Sequence, residues 1–157
     1  MEKQHALQQL EQLQKKLYAI HYACSAMNLD ADTVAPKNTS EGRGVALGVL
    51  AGEEQQLMIC PETRALLDEL DRQKDELNLL HRREVEELRR RCDQLTRIPA
   101  EEYIAYSELV NKAGDVWHKA KEKDDFAMFC PLLQELVEYN RKFAAYYDST
   151  RAPYDAS

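Results

Sequence analysis

Residues 108–139 read ELVNKAGDVWHKAKEKDDFAMFCPLLQELVEY, and their spacing decides the fold class. Tyr103, Tyr106, Val110, Ala113, Trp117 and Ala120 recur at steps of three and four, which marks one face of a helix. Glu122-Lys123-Asp124-Asp125 ends that pattern. Past Pro131, the residues Leu132, Leu133, Leu136, Val137, Phe143, Ala144 and Tyr147 line one side of a second amphipathic helix, with Pro131 at its start. The spacing predicts a charged corner between two helices, with Trp117, Phe126 and Phe129 burying area at the join.

The same period runs back through the chain. Leu7, Leu10, Leu13, Leu17, Ile20, Cys24 and Met27 predict a helix from about His5 to about Asn28. The pattern serves packing against the chain's own core or a short coiled coil. Residues 29–40 gather Asp, Thr, Pro, Asn and Ser, the composition of a loop, and Pro36 biases Ala35 away from helix. Thr39 or Ser40 caps a following helix, with Glu41 in its first turn. Gly42, Gly44, Gly48 and Gly52 are clustered there. Gly44 and Gly48 lack a Gly-Lys-Ser/Thr ending and a preceding strand, so close helix approach is favoured over a phosphate loop. Cys60-Pro61-Glu62 opens a third helix whose inner side is Leu66, Leu67, Leu70, Leu77, Leu80, Val85, Leu88, Cys92 and Leu95. No Gly or Pro interrupts residues 62–98, which form one helix or two with a kink near 74–78. Ile98-Pro99 ends it and starts the fourth. No strand pattern occurs. The expected architecture is an all-α bundle of about five helices with short loops, one helical domain over residues 1–157.

Composition narrows the classes of function. The chain has 157 residues, 44% hydrophobic and 31% charged, with five Gly and five Pro, which suits a structured helical domain. A net charge of -7 gives no basic footprint for nucleic acid. Arg89-Arg90-Arg91 lies among Glu84, Glu86, Glu87 and Asp93 and reads as a compensated helix face. No stretch reaches the length of a membrane span. The start, Met1-Glu2-Lys3-Gln4, leads into a Gln-rich amphipathic segment, so no signal peptide is expected. Cys24, Cys60, Cys92 and Cys130 are far apart and form no Cys-x-x-Cys pair. Free, mostly buried thiols in a reducing cytoplasm are the expectation.

The candidates for chemistry are few. His5, His21, His81 and His118 are spread over separate helices with no His-Glu-x-x-His arrangement, whereas metal ligation needs two or three ligands converging on one point. Asp30 with Asp32, and Asp124 with Asp125, are paired acids beside helix ends, where capping is the ordinary use. Tyr103, Tyr106, Tyr146 and Tyr147 at helical spacing line a core or a polar groove. No Ser/His/Asp or Cys/His set is brought together. No catalytic, cofactor-binding or metal-ligating residue is assigned.

The run Trp117-His118-Lys119, with Asp125-Phe126, Phe129, Pro131 and Leu133, resembles a signature of the thermostable, Taq-type zinc metallocarboxypeptidases. Asp30, Thr33 and Pro36 resemble that family's Trp-Asp-x-x-Thr-x-x-Pro loop, with Leu29 where the family has Trp, and Arg43 resembles the arginine that follows it. Ile98-Pro99 and Pro153-Tyr154-Asp155 resemble two further family pieces. The resemblance implies that the chain is the N-terminal helical portion of a longer all-α peptidase. In such an enzyme the zinc ligands and catalytic glutamate lie downstream on a His-Glu-x-x-His helix. The full-length enzyme removes C-terminal amino acids from peptides with zinc-activated water and a glutamate base. This portion lacks those groups, has no cofactor of its own and is expected to be inactive alone. The implied partners are the rest of the catalytic domain, a peptide substrate and a second copy in a homodimer, with neither nucleic acid nor membrane. A non-catalytic helical module that binds a partner helix or self-associates is the alternative.

Overall fold

The computed structural model describes residues 3–36 and 38–156, and of Asp155 and Ala156 only the backbone. Met1 and Glu2 of the amino-terminal segment, Lys37 of the first loop, and the Asp155 side chain of the Pro-Tyr-Asp motif therefore lie outside the described residues. The described residues are all-α. They form α1 (Lys3–Thr33), α2 (Ser40–Ile59), α3 (Pro61–Arg72), α4 (Leu79–Arg97), α5 (Ala100–Glu122), α6 (Phe126–Tyr147) and the short α7 (Pro153–Ala156). The chain divides into two compact units. The first is Met1–Ala23 with Glu53–Thr96, and the second is Cys24–Gly52 with Arg97–Ser157.

In the first unit, Ala6, Leu10, Leu13 and Leu17 of α1 are buried, as are Met58, Leu66, Leu67, Leu70, Val85, Cys92 and Leu95. Pro61 sits at the start of α3, where its missing N–H would have no helical partner anyway. The kink expected near 74–78 is present. The chain leaves α3 through a 3-10 turn at Lys74–Glu76. Asn78 then caps α4, its Oδ1 accepting from the His81 N–H at 2.8 Å. Leu80 is expected inside, but it and Leu79 are 65% and 71% exposed. Both lie in the first turn of α4, where the buried stripe has yet to begin. The compensated arginines are paired, and two of the partners lie on other helices. Arg90 binds Glu87 one turn away, while Arg89 reaches Asp68 on α3 at 2.7 Å and Arg91 reaches Glu54 on α2.

In the second unit, α1 continues past Asn28 to Thr33. The Thr33 hydroxyl donates to the Leu29 carbonyl at 2.6 Å, and the Val34 and Ala35 N–H groups close on the Asp30 carbonyl. The loop is correspondingly shorter than its composition suggests. The Thr39 hydroxyl, just before α2, donates back to the Pro36 carbonyl at 2.9 Å. The glycines of α2 permit close approach to α5. A Cβ at Gly44 would meet Asn111 Nδ2 at 3.0 Å, one at Gly48 would meet Glu108 Oε1 at 2.8 Å, and one at Gly52 would meet Ile104 Cδ1 at 3.1 Å.

The corner between α5 and α6 is built from its own acids. The Asp125 N–H reaches the Ala120 carbonyl at 2.8 Å and the Asp124 N–H reaches the Lys121 carbonyl at 3.3 Å. This is a Schellman closure with Asp124 in the left-handed region, at φ 53. Asp125 then caps α6, its Oδ1 accepting from the Met128 N–H at 3.3 Å. Helix α6 therefore begins at Phe126, ahead of the expected start, and Pro131 lies inside it. The two helices run antiparallel: Glu102 meets Tyr146, Tyr106 stacks on Tyr139 and Phe143 at 5.7 and 5.2 Å, and Leu109 and Ala113 pack with Leu132.

The inner face of α5 agrees with expectation at Ala113 and Ala120 and differs at Val110 and Trp117. Leu109, Ala113 and Ala120 are buried, while Val110 and Trp117 are 46% and 43% exposed. Phe126 is 64% exposed, so of the three aromatics at the join only Phe129 packs against the core cluster. Among the cysteines, Cys92 is buried, Cys24 and Cys60 are half-buried and Cys130 is exposed, so the thiols are less buried than expected.

Candidate functional site

Three side-chain constellations bring chemistry-bearing groups together. In the first unit, Glu54 is 7% exposed on the inner stripe of α2. Its Oε1 accepts from His21 Nε2 of α1 at 2.8 Å and from the guanidinium of Arg91 of α4. Next to it the fully buried Gln55 donates to the Leu95 carbonyl at 3.2 Å. A carboxylate so occupied is spent on holding helices: two donors converge on one oxygen, and the ion pair compensates for desolvation. The cluster was not assembled from the sequence. The available signal was an acid at position 54, in step with Leu47, Ala51 and Met58 on one helical face.

In the second unit, Arg43 is the residue that resembles the family's arginine. Its Nε donates to Asn111 Oδ1 at 2.8 Å and its Nη2 to Asp115 Oδ1 at 2.7 Å. Asn111 Nδ2 donates in turn to the Ser40 carbonyl at 3.0 Å. Asn111 and Asp115 are four residues apart on α5 and so share the face that meets Gly44. The second oxygen of Asp115, Oδ2, is buried with no hydrogen-bond partner. The third constellation joins α5 and α6. The Tyr146 hydroxyl donates to Glu102 at 3.1 Å, and Lys142 Nζ lies 2.8 Å from the same carboxylate. That hydrogen bond to Glu102 holds the Lys142 ammonium above the usual lysine range.

The remaining candidates stay apart. His5 is exposed beside Gln9. His118 lies edge-on to Trp117 and 3.4 Å from Asp32, with both groups exposed. Asp124 and Asp125 serve the helix corner. Tyr103 and Tyr106 are half-buried on α5, and Tyr106 belongs to the aromatic packing against α6. A groove of about 1170 Å³ opens in the first unit beside α1 and α3, lined by Leu13, Leu57, Cys60, Leu66 and Glu69 among others.

Among the described residues, these caps, glycine contacts and the Arg43 network define an all-helical scaffold. The sequence matches the Carboxypeptidase Taq (M32) metallopeptidase family over residues 9–157, and the chain belongs to that family. It is 35% identical over 138 residues to carboxypeptidase 1 of Bacillus subtilis, covering 87% of this chain and 28% of that protein. It is 30% identical over 142 residues to thermostable carboxypeptidase 1 of Pyrococcus furiosus, covering 90% of this chain and again 28% of the relative. Among solved structures, BsuCP superposes with a TM-score of 0.91 at 32% identity, over 97% of this chain and 31% of that one. Metallocarboxypeptidase 1 of Trypanosoma cruzi does so at 0.72 and 30% identity, over the same shares. The chain thus spans less than a third of the length of the relatives it matches.

The family is one of metallopeptidases, so the residues present were compared with a metal site. Among the described residues no three His, Cys, Asp or Glu side chains form a group that could hold a metal ion. They do not fit a zinc site, and no zinc ligand is assigned to this chain. Among the described residues, too, no helix is long and apolar enough to cross a membrane.

Proposed function

We propose that the chain is the N-terminal helical portion of a cytoplasmic zinc metallocarboxypeptidase and acts as one helical domain that shapes the enzyme without supplying its reacting groups. The observation that carries this reading is the family match across residues 9–157 together with the 28% share of the curated relatives. In the complete enzyme, peptide substrates lose their C-terminal residue through zinc-activated water and a glutamate base held elsewhere in the polypeptide. The networks of Arg43 and Glu54 lock helices together and leave no reactive pair free, which suits a scaffold. The complete protein's partners are then the remainder of its catalytic domain, a peptide and a second copy of itself.

The reading is checked by complementation. Bacillus subtilis carboxypeptidase 1 lacking the part that matches this chain is mixed with the chain in zinc-containing buffer, and release of C-terminal amino acids from a short peptide is followed. Hydrolysis above that of either component alone is expected. Equal rates with and without the chain would contradict the scaffold role.

A further inference from the structure

The hairpin of α5 and α6 carries an uncovered apolar face. Val110 and Trp117 on α5 are 46% and 43% exposed, and Phe126, Leu133 and Val137 on α6 are 64%, 37% and 40% exposed. Single exposed apolar residues are ordinary, but a contiguous group is a mark of an interface. Four of them share a side by geometry, and Phe126, two turns before Leu133, falls on the same stripe of α6. Val110 and Trp117 each follow by one residue a position that packs toward α6, Leu109 and Val116, and Leu133 and Val137 likewise follow Leu132 and Leu136. One residue is a rotation of about 100°. In an antiparallel pair, that same rotation turns both sets to the same side of the hairpin. Gly114, between Val110 and Trp117, has open space where a Cβ would stand, which keeps the face flat.

The surroundings say what covers it. Lys121, whose ammonium lies 5.0 Å over the Trp117 ring, follows Trp117 by one turn, and Arg141 follows Val137 by one turn. The charged residues one turn beyond Trp117 and Val137 are therefore both cations, on a chain whose net charge is -7. A second copy apposing the same face would set these cations against each other. The superposing solved structure, by contrast, holds this fold within a chain of which more than two thirds lies outside the match.

We infer that the Val110–Trp117–Phe126–Leu133–Val137 face is the docking surface for the part of a family polypeptide that this chain does not span, which meets it with an apolar helical face bearing carboxylates opposite Lys121 and Arg141. This rests on the scaffold reading and adds the surface through which the scaffold acts.

Trp117 is the chain's one tryptophan, so fluorotryptophan labelling yields a single fluorine resonance at the centre of the face. The labelled chain is titrated with Bacillus subtilis carboxypeptidase 1 lacking its matching part. The resonance is expected to move and to lose its H2O/D2O solvent shift. Val137→Asp, at an exposed position, should weaken the interaction at least about tenfold, as loss of an interface anchor does. Val45→Asp, at an exposed position of α2, should leave it unchanged. Far-UV circular dichroism on each variant confirms that its helices are retained. An unmoved resonance, or Val137→Asp binding as tightly as the unsubstituted chain, overturns the assignment. So does a resonance that moves when the chain alone is concentrated and sediments as a dimer, because the occupant is then a second copy. A moved resonance without recovered hydrolysis upholds the surface and removes the activity reading, and recovered hydrolysis with an unmoved resonance does the reverse.

Discussion

At the scale of single residues, the chain spends its buried charge on cohesion. Glu54 is the sharpest case, a carboxylate with a 9% exposed side chain that joins His21 and Arg91. Removing it leaves the Arg91 guanidinium and His21 imidazole, 34% and 46% exposed, without their shared carboxylate. Glu54→Ala is therefore expected to lower unfolding stability by about 1–3 kcal/mol, less than a fully buried pair because solvent reaches both partners. Urea unfolding followed by circular dichroism measures this, and a loss below about 1 kcal/mol would place the pair among those that solvent already screens. Arg43 plays the corresponding part in the second unit, where its planar fork engages Asn111 and Asp115 at once. Neither network could be assembled from the chain order. In each, the partners on different helices are more than thirty residues apart, and only the polar residues set into apolar stripes hinted at them.

At the scale of elements, helix interiors were legible and helix ends less so. Steps of three and four predict about five helices, and the thinning of the apolar pattern near 74–78 marks the turn at Lys74–Glu76 that makes six long ones among the described residues. The glycines of α2 predict close approach, and α5 is found against Gly44, Gly48 and Gly52. The ends depend on local hydrogen bonds that composition does not reveal. Asp30 and Thr33 look like loop residues, yet their backbone and hydroxyl groups complete α1. Asp125 moves the start of α6 ahead of Pro131 by accepting from the Met128 N–H as its cap. The α5–α6 corner supports a prediction at this scale. Asp124 holds φ 53, a conformation that costs a residue with a Cβ about 1 kcal/mol and glycine almost nothing. Asp124→Gly is expected to raise the thermal midpoint, with a gain of about 0.5–1 kcal/mol. A fall in the midpoint would show that the Asp124 side chain contributes more to the corner than its strain removes.

At the scale of the molecule, helical class and family were legible in the sequence, whereas the exposed face was not. Helix α5 is apolar on two neighbouring faces. Periodicity favours a stripe through Val110, Ala113, Trp117 and Ala120, while packing against α6 uses Leu109 and Ala113 and leaves Val110 and Trp117 exposed. Small residues let α5 and α6 approach, and the bulky ones are turned outward. That inversion moves Trp117 and Phe126 from core to surface, and the most recognisable run in the sequence becomes a face available to another body. On the proposed reading, the family signature reflects a contact surface as much as a helix corner. The most direct measurement of the scaffold role uses the chain alone. The purified protein is equilibrated with zinc, freed of unbound metal, assayed for bound zinc and then for release of C-terminal amino acids from peptides. The scaffold reading predicts no stoichiometric zinc and no hydrolysis, whereas one tightly held zinc per chain together with peptide turnover would contradict it.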